Sequence, residues 1–125
     1  MLEEIVLAID DEPGTLAVIG ELLGASGVNI HTLSATTYNG QGVVHLVCDD
    51  GDEAAEVLQA NNFKVETTRP VMTATLDDQP GEMGKYCRKL TDAGVTISAA
   101  YVTRKGGGET EMVFAVDDLQ AAREV

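Results

Sequence analysis

The chain has 125 residues, 44% of them hydrophobic, and a formal net charge of −13, so it can bury one ordinary core or two very small ones. No run approaches the roughly 18 apolar residues of a membrane span, and Met1-Leu2-Glu3-Glu4 lacks the basic start of a signal peptide, so a cytoplasmic protein with no membrane partner is expected. Residues 1–69 hold 12 acids and 2 bases and residues 70–125 hold 9 acids and 6 bases, which excludes nucleic acid as a partner because phosphate binding needs clustered Lys and Arg.

The run from Glu4 to Asp10 is aliphatic on both alternating faces, which predicts a central strand covered on both sides. Asp11-Glu12-Pro13-Gly14 follows, with Pro13 placed in the first turn of a helix and Asp11 or Glu12 as its cap. Leu16, Ile19, Gly20 and Leu23 then fall on one helical face, and Gly27 ends the helix as a left-handed cap. Residues 28–38 read as a second strand, Asn39-Gly40-Gln41-Gly42 as a hairpin, and residues 43–48 as a third strand. A helix over 54–60 and a strand over 63–68 complete a β-α-β-β-α-β unit, the ferredoxin-like plan.

The same landmarks then recur. Asp78-Gln79-Pro80-Gly81 repeats the first turn, Met83, Tyr86, Cys87 and Leu90 repeat the helical stripe, and Gly94-Val95-Thr96-Ile97 repeats Gly27-Val28-Asn29-Ile30. The offset is 67 residues (81 − 14, 94 − 27) and grows to 68 at the third strand, which predicts a second hairpin, Lys105 to Gly108, one residue longer than the first. This is a duplication. The fold class expected is α+β: two ferredoxin-like βαββαβ modules with antiparallel sheets, over 1–69 and 70–125, joined at Arg69-Pro70. The second lacks its last strand and ends within its second helix, so it is C-terminally incomplete and has one strand edge that a partner chain covers or that marks a truncation.

Several chemical readings are set aside. Cys48 and Cys87 have no partners at ligand spacing and read as core thiols, not as a disulfide or zinc pair. The glycines of the second hairpin lie between two strands, without the Lys-Ser or Lys-Thr step into a helix that a phosphate loop needs. Asp49, Asp50, Asp52 and Glu53 lack the alternating ligands of a calcium loop; Asp50 and Glu53 have capping-box spacing. No metal and no cofactor are expected.

The two Asp-x-Pro-Gly turns and the two Gly-Val-x-Ile steps, in register, resemble the ACT domain, in particular the stand-alone tandem ACT proteins of bacteria, over residues 4–125. The resemblance implies a non-catalytic regulatory protein, paired as a homodimer, that holds an amino acid between the first turn of one unit and strand two of another, with a regulated enzyme or transporter as a further partner. It places ligand-binding residues at Asp11, Pro13, Gly14 and Thr15 facing Thr96, Ile97 and Ser98, and at Asp78, Gln79, Pro80, Gly81, Glu82 and Met83 facing Asn29, Ile30 and His31. The second combination has the richer polar readout, so if only one site is occupied it is the one expected. The chemistry agrees: a helix start offers unpaired N–H groups to a carboxylate, glycine allows close approach, and Asp11 or Asp78 can accept from an ammonium. Asn29 and His31 should alternate onto one face of strand two.

The alternative is a protein-interaction module with a vestigial site, like the glycine cleavage repressors. A ferredoxin-like enzyme such as an acylphosphatase is disfavoured, because the turn after strand one carries no arginine and neither His31 nor His45 has a nucleophile beside it.

Overall fold

The computed structural model describes residues 1–10 and 12–125. The chain divides into two compact units, Met1–Pro70 and Val71–Val125. The first contains β1 (Glu3–Asp10), α1 (Thr15–Ala25), β2 (Ile30–Tyr38), β3 (Gln41–Cys48), α2 (Gly51–Ala60) and β4 (Lys64–Pro70). Its sheet has the order β2-β3-β1-β4 and every pairing is antiparallel. The second contains β5 (Met72–Asp77), α3 (Glu82–Asp92), β6 (Ile97–Gly106), β7 (Glu109–Val116) and the short α4 (Leu119–Arg123), with the sheet order β5-β7-β6. Among the described residues, β5 therefore has no strand on the side where β4 flanks β1.

Each unit has its own core. In the first, Ile5, Leu7, Val44, Leu46 and Cys48 pack from the sheet against Ile19 and Leu23 of α1 and Ala54 and Leu58 of α2. In the second, Met72, Met112 and Phe114 pack with Leu90 and Ala122, and the Tyr86 ring meets Phe114 at a centroid distance of 5.3 Å. Burial raises the Tyr86 pKa, with the neighbouring Cys87 adding to the shift. Alternation sorts the strands as period-two patterning requires: Ile5, Leu7 and Ile9 point to the helices, Glu4, Val6 and Ala8 away from them.

The duplication is reproduced to the residue where the backbone is most constrained. α3 lies 67 residues after α1 at both ends, and Gly14 and Gly81 both adopt φ +87° as N-caps. Gly27 (φ +76°) and Gly94 (φ +78°) close the two helices. β7 lies 68 residues after β3, and Asp50 and Asp118 cap α2 and α4 by accepting from the N–H groups of Glu53 and Ala121, each at 3.0 Å.

Three local expectations change. Pro13 precedes the helix instead of starting it: Gly14 is the N-cap, and neither α1 nor α3 takes a side-chain cap among the described residues. The two hairpins are of equal length, Asn39-Gly40 and Gly107-Gly108, both with positive φ as a tight I′ turn demands. The extra residue of the second copy sits inside β6 as a bulge at Thr103, where the register shifts between Val102 and Arg104. The Thr103 hydroxyl donates to Glu111 Oε1 at 2.6 Å, so the inserted residue is anchored. Finally, the fourth strand, expected over 63–68, runs on through the seam residues Arg69 and Pro70 as the end of β4.

Arg69 has a specific task there. Its Nε and Nη2 both lie 2.7 Å from Glu4 Oε1, and His45 Nδ1 lies 3.0 Å from Glu4 Oε2. Glu4 is fully buried, at 0% exposure, and charged groups reach such positions only when paired and hydrogen-bonded.

Candidate functional site

The two turns that follow β1 and β5 are built alike. Glu12 N–H donates to the Asp10 carbonyl and Gln79 N–H to the Asp77 carbonyl, each at 2.9 Å. The chain then passes through the left-handed glycine into the helix, and the Gly14 and Gly81 carbonyls accept the first helical bonds from Val18 and Lys85. A Cβ built on either glycine meets nothing within 4 Å. Glycine is required here by backbone conformation, and the space above both turns is open. In the first unit the Thr15 hydroxyl donates to the Glu12 carbonyl at 3.0 Å and tightens the turn.

The turn of the first unit opens into a groove of about 310 Å³ between the start of α1 and the second half of β2. Ile9, Leu16, Ala17 and Ala35 give it apolar walls; Asp10, Glu12, Thr15, Thr36 and Thr37 give it polar edges. Leu16 is 46% exposed and Met83, its counterpart in the second unit, 56%. The helical stripe therefore buries Ile19, Leu23 and Leu90 but leaves its first member at the surface, because the first turn of each helix lies at the end of its sheet, beside the turn.

Of the residues expected at the site, Gly14 and Thr15 line this groove, and Pro13 stands exposed just before them. Asp11 lies outside the described residues. Gly81, Glu82 and Met83 occupy the matching positions in the second unit, after exposed Gln79 and Pro80. Asp78 Oδ1 is 3.3 Å from Lys105 Nζ, so this carboxylate already faces a cation. Asn29 precedes β2 and His31 sits in a bulge between Ile30 and Thr32, so the two do not alternate along a regular strand; both are exposed. Ser98 sits in the corresponding bulge between Ile97 and Ala99. The exposed Thr96 donates its N–H to Asp117 Oδ1 at 2.8 Å. Ile30 and Ile97 turn to their own cores.

The groove residues Ala35, Thr36 and Thr37 were not among those expected. Their signal lay in the hairpin: pairing Thr37 and Ile9 with the same residue, Gly42, brings the end of β2 level with the end of β1. Asn29 and His31 lie at the other end of β2. Among the described residues no group of three or more His, Cys, Asp or Glu side chains can hold a metal ion, and no helix is long and apolar enough to cross a membrane. Burial raises the Cys48 thiol to a pKa of about 11, which makes it a poor nucleophile.

A family model described as an ACT domain pair matches residues 1–125. The chain belongs to the ACT domain pair family. Among solved structures, this ACT pair is similar to a protein from Bacteroides thetaiotaomicron (20% identity, 98% of this chain and 83% of that one, TM-score 0.82). It is also similar to the ligand-free regulatory subunit of aspartate kinase from Thermus thermophilus (16%, 98% and 91%, TM-score 0.73). The corresponding subunit from Thermus flavus is a further match (17%, 98% and 88%, TM-score 0.72). At these identities the likeness shows the fold alone. No curated protein matches the chain.

Proposed function

We propose that this ACT pair is a non-catalytic regulatory protein of the cytoplasm that binds a free amino acid at the glycine-capped turn after the first strand of an ACT unit. The observation that carries the reading is the turn itself: the same left-handed glycine, with the same open space above it, starts the first helix of both units. Helix N–H groups beside such a turn complement a carboxylate, and the acids at the end of the strand complement an ammonium. The aspartate kinase regulatory subunits share this fold, which supports a regulatory role with an enzyme or transporter as the regulated partner. Strand two of a paired unit, supplied by a second copy in a homodimer, closes the site.

The test is a thermal-shift screen of the common amino acids. Binding to the folded state alone stabilises by about 2.7 kcal/mol at a hundredfold excess over Kd, so a rise in Tm with at least one of them at millimolar concentration is expected. A flat screen sinks the proposal.

A second reading, an interaction module without a ligand, is favoured by one feature: β5 has no strand on its outer side among the described residues, and an unpaired edge is a template for strand addition. Capture of one stoichiometric partner, with affinity indifferent to every amino acid, would select it.

A further inference from the structure

The groove at the first-unit turn has a chemical polarity that its counterpart in the second unit lacks. Its charged groups are the acids Asp10 and Glu12, and among the described residues no Lys or Arg lines it. The acids stand at the turn end, level with Thr37, because Ile9 and Thr37 share Gly42 as their cross-strand partner. Ala35 lies two residues deeper, across Val44 from Leu7, and with Leu16 it makes the inner end apolar. In the second unit the strand positions matching Thr36 and Thr37 hold Arg104 and Lys105, which stand opposite Glu111 and Thr110 as the threonines stand opposite Val43 and Gly42. Those cations are matched with acids, Arg104 with Glu111 at 3.6 Å and Lys105 with Asp78 at 3.3 Å. The duplication has thus diverged at the groove: acids and hydroxyls over an apolar floor in one copy, surface ion pairs in the other.

We infer that the first-unit groove selects a neutral amino acid with an aliphatic side chain, such as valine, leucine or isoleucine, and that the second-unit counterpart does not bind it. This rests on the amino-acid-binding reading above and narrows it to one unit and one ligand class. The α-ammonium meets Asp10 and Glu12, and the side chain lies between Leu16 and Ala35. An acidic ligand meets two carboxylates and no counter-charge. A lysine ligand places its second ammonium at the inner end, where Leu16 and Ala35 offer neither an acceptor nor a counter-charge. The volume, about 310 Å³, is at the small end of the roughly 300–1,000 Å³ of ligand pockets, the size class of a single amino acid.

The experiment is titration calorimetry on the full chain with valine, leucine, isoleucine, lysine, arginine, aspartate and glutamate, repeated with Ala35→Asp, Ala35→Leu and the second-unit control Val102→Asp. Ala35 and Val102 are both exposed, so each variant is expected to fold, and circular dichroism checks this. The aliphatic amino acids should bind at least tenfold more tightly than the charged ones. Both Ala35 variants should weaken them tenfold or more, and Val102→Asp should stay within twofold of the parent. Tightest binding of a charged amino acid, or loss of binding in Val102→Asp with retention in the Ala35 variants, overturns this inference and leaves the broader reading standing. Absence of heat and of thermal shift with every amino acid overturns the broader reading and this one with it.

Discussion

Single residues hold the repeated turn in shape. At φ +87°, Gly14 and Gly81 sit where an L side chain is strained by about 1–2 kcal/mol, with no neighbour to clash. Gly14→Ala and Gly81→Ala should therefore each cost about that much in urea unfolding, nearly additively in the double variant, since each acts on its own backbone. Cys48 tests burial from another direction. Its thiol is raised from 9.0 to about 11 by desolvation, so the folded state keeps a proton that the unfolded chain releases. Stability is unaffected below pH 9 and falls as the pH rises from 9 towards 11. A Cys48→Ser variant should show a shallower decline over that window in pH-dependent unfolding. At pH 8 a bulky thiol reagent should leave Cys48 unmodified until denaturant is added.

Among the elements, β4 shows how a residue at the seam between the two modules becomes structural. Arg69 lies past the expected end of the fourth strand, yet it extends β4 and supplies the guanidinium for the buried Glu4 carboxylate. Replacing it with methionine removes the short contacts to Oε1 and should destabilise by about 3 kcal/mol, whereas the double variant Glu4→Leu, Arg69→Met should lose much less, because no buried carboxylate is then left short of a partner. A double-mutant cycle by chemical denaturation measures this directly. β6 makes the complementary point. The one-residue growth of the repeat was legible in the sequence, but whether it entered the hairpin or the strand depended on a contest between turn geometry and pairing. Gly107-Gly108 meets the two positive φ values of a tight turn, which holds the hairpin at two residues and leaves Thr103 to bulge against Glu111.

For the molecule as a whole, the charge is the dominant long-range feature. With 21 acids against 8 bases, self-repulsion opposes folding most at low ionic strength, where the Debye length reaches about 30 Å. The melting temperature should rise as NaCl is increased from 10 mM to 1 M, and the protein should pass through a heparin column unretained; a fall in Tm with salt would show that attractive pairs outweigh the repulsion. The sequence by itself determined the duplication, the two βαββαβ plans, the missing last strand and the glycine-capped turns, because these depend on local rules: periodicity, backbone conformation and one repeated offset. Only the tertiary structure decided that Glu4 is buried with Arg69, that Asn29 and His31 lie far along β2 from the first turn, and that Ala35, Thr36 and Thr37 stand beside it. Those relations depend on strand register and on bulges, where a shift of one residue reverses which face a side chain presents, and no local pattern in the chain records that choice.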